Sequence, residues 1–464
     1  GAQEYQADDN FFNLGGESIQ VIQLANKLSQ ITGAPVNGTL LFQNPTLEAM
    51  SRAVLGGKRA EENAVLSHDR AKQQVIADCE KFEQRLKAQI NVPAGNTLRP
   101  MGNVLVTGAT GFVGVHMVMA LLSHTPGRIF CFIRADSNDA ALERFYGACR
   151  EFHVSLSQSE KADLSRRLVV FAADISKPSF GMVNNQEQVI FSQVSHIFHV
   201  AAVISVTRDY SSLAKANTLA TGELLLAAAR YGIAFQHCST VAVTPPKNQG
   251  NLTEDFVAYH EGLLDGYQQS KWAAENLVER AVQNGVDARL FRLGRITGRF
   301  SNGFVKGNDL VWQILSLGLK HQVLPDLNVE EPWTPVNEVV DIMLTACASE
   351  GFGRVVNLVG EHRVGFKKMF QWLREEGYGF DVVSVPEWCQ TLSQSEGESE
   401  LALVAFFHHK KQAAERGVDL QMGDMLSGDT CVELGRLNKP FSRITREHFQ
   451  KYCQFALEEP AYAE

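Results

Sequence analysis

The segment Asn103-Val-Leu-Val-Thr-Gly-Ala-Thr-Gly-Phe-Val-Gly114 sets a hydrophobic strand against three glycines, at 108, 111 and 114, with a helical stretch after them. The first glycine permits a tight turn, the second lets a pyrophosphate approach the backbone, and the third allows close helix–strand packing. The helix start then offers unpaired N–H groups and its dipole to phosphates. Such a turn predicts a dinucleotide site and an α/β region opening near residue 103.

Downstream, short apolar runs alternate with helical patterns. Strands are predicted at Asn103–Thr107, Arg128–Ile133, Leu168–Phe171, His196–Val200, Ala234–Cys238, Ala288–Leu293 and Val355–Val359. Helices are expected between most of them, at Gly114–Leu122, Ala216–Tyr231 and Tyr267–Gln283 among others. This alternation predicts a doubly wound parallel sheet covered by helices on both faces. From about Val364 the chain reads as mainly helical, with a polar loop at Ser393–Glu400.

Ahead of the sheet, residues 3–56 read as short helices. Ser18 is predicted to start one with Ile19, Ile22, Leu24, Leu28 and Ile31 as its apolar stripe, and Thr46 to cap another over Leu47–Leu55. Residues 57–98 carry Val65, Leu66, Val75, Ile76, Cys79, Phe82, Leu86 and Ile90 at helical spacing. They predict a helical linker or a lead-in helix docked on the sheet domain, not a flexible tether.

Charge and composition narrow the function. A net charge of -9 in 464 residues argues against a broad nucleic-acid surface. No apolar run approaches the roughly 20 residues of a membrane helix, and no secretory leader is read. The eight cysteines show no CxxC or Cys/His pairing, which suits free thiols in the cytoplasm better than a disulfide frame or a metal site.

Chemistry is suggested by Tyr267-Gln-Gln-Ser-Lys271, which places a phenol and an ammonium at i and i+4 on one helix face. A lysine there is expected to stabilise the phenolate, lower the tyrosine's pKa and prepare proton exchange with a carbonyl oxygen. Ser239 and Thr240, at the end of the fifth strand, each offer a hydroxyl to the same oxygen, and spacing does not separate them. Arg134, after the second strand, suits the 2′-phosphate of NADPH, while Asp136 nearby leaves NAD open.

Taken together, Thr107–Gly114 and Tyr267/Lys271 resemble the extended short-chain dehydrogenase/reductase superfamily. Gly266-Tyr-Gln-Gln-Ser-Lys-Trp-Ala-Ala-Glu275 is similar to the thioester reductase domains that end non-ribosomal peptide and polyketide synthetases. The resemblance covers residues of about 100 to 360. It implies a Rossmann-type sheet with a mainly helical C-terminal substrate-binding part. It further implies a catalytic set of Thr240, Tyr267 and Lys271. Cofactor contacts are implied at Thr107, Gly108, Thr110, Gly111, Phe112, Val113, Gly114, Arg134, Asp174, Ile175, Ala201, Ala202 and Lys271. His199 belongs to the turn beside the cofactor, Asn217 to the family's asparagine helix, and Arg292–Gly298 to a loop near the nicotinamide. Thr244 departs from the family, which often has tyrosine there.

Asp9-Asn-Phe-Phe-Asn-Leu-Gly-Gly-Glu-Ser18 resembles the modification site of acyl and peptidyl carrier proteins. The resemblance implies a small all-helical carrier domain with 4′-phosphopantetheine attached at Ser18 by a phosphopantetheinyl transferase. With eight residues before Asp9, that domain is expected to lack its first helix.

The expected organisation is therefore a carrier region over 1–57, a helical linker over 58–98, a reductase core over 99–363 and a substrate-binding part over 364–464. The expected activity is NADPH-dependent release of a carrier-bound acyl or peptidyl thioester as an aldehyde, or onward to the alcohol, downstream of other synthetase modules. The alternatives are redox-inactive release by cyclisation, and an extended short-chain epimerase or dehydratase. His408–Lys411 reads as a solvated helix face, and Phe352, Phe366, Phe370 and Trp372 as core. Trp333–Val336 fits either core or a substrate cleft.

Overall fold

The computed structural model describes residues 6–7, 11, 18–33, 36, 41, 46–55, 60–89, 100–205, 208–306, 309–360, 362–394, 399–400, 403–404, 406–407 and 422–458. The centre is a sheet of seven strands: β1 (Val104–Thr107), β2 (Ile129–Ile133), β3 (Leu168–Ala172), β4 (His196–His199), β5 (Ala234–Thr240), β6 (Ala288–Leu293) and β7 (Val355–Leu358). Their order is β7-β6-β5-β4-β1-β2-β3, and every pairing is parallel. β1 and β2 are buried at every position, so they read as unbroken apolar runs. Strand order reverses between β1 and β4, which opens a crevice at their C-terminal ends.

Eight helices bear on the site and on the carrier region ahead of it: α1 (Ser18–Thr32), α2 (Leu47–Leu55), α3 (Ala60–Gln89), α4 (Phe112–His124), α5 (Asn138–Glu151), α6 (Ala220–Tyr231), α7 (Gly266–Gln283) and α8 (Gly428–Arg436). One apolar core fills each face of the sheet. α4 and α5 cover one face, and α3, α6 and α7 contribute to the other.

α3 is a single helix of 30 residues, and its apolar positions explain where it lies. Val75, Cys79, Phe82 and Leu86, at helical spacing, are buried in the same core as Leu224, Trp272 and Leu277. Tyr210 donates to Asp78 at 2.8 Å, Arg85 pairs with Glu223 at 2.5 Å, and Arg280 pairs with Glu83. Ile76, expected on the buried face, is 38% exposed; Val65, Leu66 and Ile90 lie outside the described side chains.

A third core gathers Val305, Trp312, Leu324 and Trp333 with Val364, Phe370, Trp388, Phe449 and Tyr452. It thus draws on both sides of residue 363. Among the described residues, the C-terminal stretch carries helices and two short strands, Arg363–Gly365 and Asp381–Val383, which pair with Glu330–Pro335 and Val323–Pro325. Phe352, Phe366, Phe370, Trp372 and Trp333 are all buried.

In the N-terminal region α1 and α2 share a small core of Val21, Ala25, Leu41 and Met50. Of the expected stripe of α1, Leu24 and Leu28 pack beside the buried Val21 and Ala25, Ile31 is 74% exposed, and the side chains of Ile19 and Ile22 lie outside the described residues. Thr46 does cap α2, accepting from Ala49 N at 3.2 Å. Ser18 is the first residue of α1. Its side chain and most of the Asp9–Glu17 motif lie outside the described residues, as does His408–Lys411.

Candidate active site

The site is built at the C-terminal ends of β1, β4 and β5. Gly108 leaves β1 with φ +74°, a conformation that a side chain disfavours. A Cβ at Gly108 would lie 2.6 Å from Ala201 N, and one at Gly114 would lie 2.0 Å from the Gly108 carbonyl oxygen. Both positions therefore require glycine. α4 begins at Phe112 after Gly111, which gives it no side-chain cap. The first N–H groups of α4 are thus left for an anion, and the turn fits a dinucleotide pyrophosphate.

Residues around the turn are tied to it. Thr107 Oγ1 lies 2.7 Å from His199 Nδ1, and His199 Nε2 lies 2.9 Å from Thr221 Oγ1. Burial holds His199 neutral, pushing its pKa down to about 3, with the Lys271 charge adding to the effect. Asn217 sits in a π-helical turn, Lys215–Leu219, that the sequence pattern does not reveal. Its Oδ1 accepts from Val203 N at 2.8 Å, and its Nδ2 donates to Val203 O and to Ser270 Oγ. π-turns of this kind often mark functional positions.

After β3, Asp174 accepts from Ser176 N and Oγ at 3.0 and 2.6 Å. Burial opposes its ionisation, yet these bonds, with Arg134 and Lys177 nearby, hold the carboxyl below its usual range. Arg134 is exposed beyond β2, and Arg144 of α5 donates to its carbonyl. Arg144 is a second guanidinium in this corner that sequence reasoning misses, because only the fold brings α5 back beside residue 134.

The structure separates Ser239 from Thr240. Ser239 Oγ donates to Glu275 Oε1 at 2.6 Å, and Glu275 is paired with the buried Arg292 at 2.8 Å. Thr240 Oγ1 accepts from Ala242 N at 3.1 Å, and the hydroxyl lies near enough to the Tyr267 phenol to act on its ionisation. Alternation along β5 thus sends the two hydroxyls to opposite sides.

Asp265 caps α7 in a reciprocal capping box with Gln268, fixing the helix that carries Tyr267 and Lys271. Lys271 is buried; its Nζ donates to Cys238 O at 2.7 Å and lies 3.1 Å from His237 Nε2. Tyr267 does not have the lowered pKa expected from the motif. Burial raises it to about 12, with the nearby Thr240 hydroxyl acting the other way, because the ammonium is turned onto β5 instead of the phenol. Burial lowers Lys271 itself to about 8, against the effect of Cys238 and Glu275.

Arg292–Gly298 is also not a loop. Arg292 and Leu293 end β6, and Arg295–Thr297 forms a short strand beside Trp333–Pro335. Arg292 spans Glu275, Thr253 O, Asp255 O and Asn357, so its role is to join elements beneath the site. Thr244, where relatives often carry tyrosine, is buried and donates to Val241 O at 2.6 Å.

A family of NAD-binding domains described as male sterility protein matches residues 106–343, which span β1, the glycine turn and α7. The chain belongs to this family. A phosphopantetheine attachment site model matches residues 2–54, so a carrier region precedes the NAD-binding family domain in one chain. The chain is 34% identical over 456 residues to the isonitrile lipopeptide synthase of Streptomyces coeruleorubidus, covering 93% of this chain and 30% of that protein. It therefore spans about a third of that relative's length. Among solved structures it is similar to the terminal R domain from the myxalamid PKS-NRPS pathway (27% identity, TM-score 0.71, 81% of this chain and 98% of that one). The fold is also shared with a thiolation-reductase di-domain of an archaeal non-ribosomal peptide synthetase (20% identity, TM-score 0.72, 98% and 94%).

Proposed function

We propose that this chain releases an acyl or peptidyl group from a carrier as an aldehyde, by NADPH-dependent reduction of its thioester. The observation that carries this reading is the hydroxyl pair: Thr240 and Tyr267 meet at the end of β5, two strands from a turn that fits a dinucleotide. Arg134 and Arg144 supply guanidinium charge where a 2′-phosphate would favour NADPH over NAD. Asp174 and Ile175 fit the adenosine end, and Ala201 and Ala202 line the turn after β4.

When the cofactor is bound, hydride for the thioester carbonyl carbon comes from its reduced nicotinamide. Thr240 and Tyr267 donate to the carbonyl oxygen as it becomes an oxyanion, which preorganised donors in a dry site stabilise. With a pKa of about 12, Tyr267 is protonated at neutral pH and suited to donate. The buried ammonium of Lys271 supplies positive charge at the base of the pair and a contact for the cofactor ribose. Collapse of the adduct expels the pantetheine thiol and leaves the aldehyde, and the same donors can serve a second reduction to the alcohol.

The acyl group would ride on 4′-phosphopantetheine at Ser18, installed by a phosphopantetheinyl transferase and loaded by upstream synthetase modules in the cytoplasm. The relatives support this setting: one is an isonitrile lipopeptide synthase, another a terminal R domain of a PKS-NRPS pathway.

The Tyr267→Phe variant tests the assignment. It should lose thioester turnover by roughly 100-fold or more, the scale of general-acid contributions, while binding NADPH as the parent does. Undiminished turnover would remove Tyr267 from its role.

A further inference from the structure

Lys271 has three N–H groups, and β5 occupies two of them. One reaches the Cys238 carbonyl at 2.7 Å and the other His237 Nε2 at 3.1 Å. An ammonium can only donate, so His237 must present a lone pair at Nε2 and carry its proton on Nδ1. That Nδ1 is buried and has no hydrogen-bond partner. His237 is fully buried, with its ring stacked on Phe235 at 6.4 Å and 5.2 Å from the His199 ring. A histidine kept only for packing would not need an orphaned N–H. A proton relay would need a partner at Nδ1 to pass the proton to.

We infer that His237 is a positioning residue that accepts from Lys271 and holds its ammonium beside β5, leaving one N–H for the cofactor and substrate side. This inference rests on the assignment of Lys271 to the proposed reaction. The groups facing Lys271 among the described residues come from β5, β4 and α7. His237 and Cys238 come from β5, His199 from β4, and Glu275 from α7 itself, with Arg292 of β6 neutralising Glu275. His199 and His237 are both held neutral by burial and by the lysine charge, so neither competes for the proton. Cys238 is buried and stays a thiol.

The test compares His237→Gln, which keeps an acceptor, with His237→Phe, which keeps the bulk and removes it. In lysine-labelled protein the Lys271 side-chain signal, identified by its loss in Lys271→Met, is followed against pH by carbon-13 NMR. An acceptor stabilises the ammonium, so its loss should move the titration to lower pH. We expect His237→Phe to shift it by about one pH unit or more and His237→Gln to restore the parent value. Where thioester turnover is seen, kcat should fall about tenfold in His237→Phe with KM for NADPH unchanged, and recover in His237→Gln. An unmoved Lys271 titration in His237→Phe overturns the inference, and so does an equal shift in both variants. Because the titration needs no turnover, a chain that fails to reduce thioesters would defeat the proposed function without deciding this point.

Discussion

At the scale of single residues, the site depends on where one ammonium points. The sequence motif places Tyr267 and Lys271 on one helix face, and that much was legible from i, i+4 spacing. Which atoms they touch was not, because β5 arrives from elsewhere in the chain and captures Nζ through Cys238 O and His237. The result is a protonated tyrosine with a pKa of about 12 and a lysine near 8. The sign of the pH dependence is set by these two groups. Below about pH 8 Lys271 is charged, and above it the charge is lost while Tyr267 keeps its proton. The log of kcat/KM should therefore bend down above about pH 8 with unit slope, as a pH–rate profile would record. A flat profile to pH 10 would show that the ammonium is not required. Stability moves the other way: between about 8 and 10.5 the unfolded chain binds a proton that the folded chain does not, so folding strengthens as pH rises through that window.

Among elements, strands and long helices were read well because their apolar runs are continuous and bounded by glycine or polar turns. β6 occupies the predicted span, and α7 differs from its prediction by one residue at its start. The three-residue strands were not visible, since each depends on a partner distant in sequence, and the π-turn at Lys215–Leu219 lies inside a continuous helical pattern that gives no sign of the change in winding. The choice between Ser239 and Thr240 was hidden for the same reason: Glu275 and Arg292 decide it from α7 and β6. This buried pair gives a clear expectation. Glu275→Gln leaves Arg292 without its counter-charge and should cost about 3–5 kcal/mol, read as a lowered urea midpoint; a change below about 1 kcal/mol would mean the pair is dispensable. α3 is a second element-scale case. Phe82 packs against Gly222 and Leu277, the latter on the helix that carries Tyr267 and Lys271. Phe82→Ala should cost about 3–5 kcal/mol in the same unfolding experiment. An unchanged midpoint would mean that α3 is not part of the folded unit.

Across the whole molecule, the doubly wound sheet was legible from one glycine turn and the alternation behind it. The limits of its parts were less so. Trp312, Leu324 and Trp333 share a core with residues beyond 363, because sheet strands and cover helices interleave in sequence there. Contacts bind this region to the site: Glu254 accepts from Asp429 N and Thr430 N at the start of α8, and Asn357 Nδ2 reaches Leu426 O at 2.6 Å. A substrate held by the C-terminal part would thus bear on the loop after β5. At the other end of the chain, Ser18→Ala should abolish attachment of the pantetheine arm by a phosphopantetheinyl transferase, seen as the missing mass increment. An arm still attached in that variant would place the modification elsewhere.

The most direct test of reductive release is NADPH consumption by the intact chain, followed by absorbance with a panel of acyl-pantetheine thioesters and with product analysis. Reductive release predicts oxidation that depends on the thioester and yields an aldehyde, or the alcohol after a second reduction. NADPH that binds but is not consumed with any thioester would contradict it.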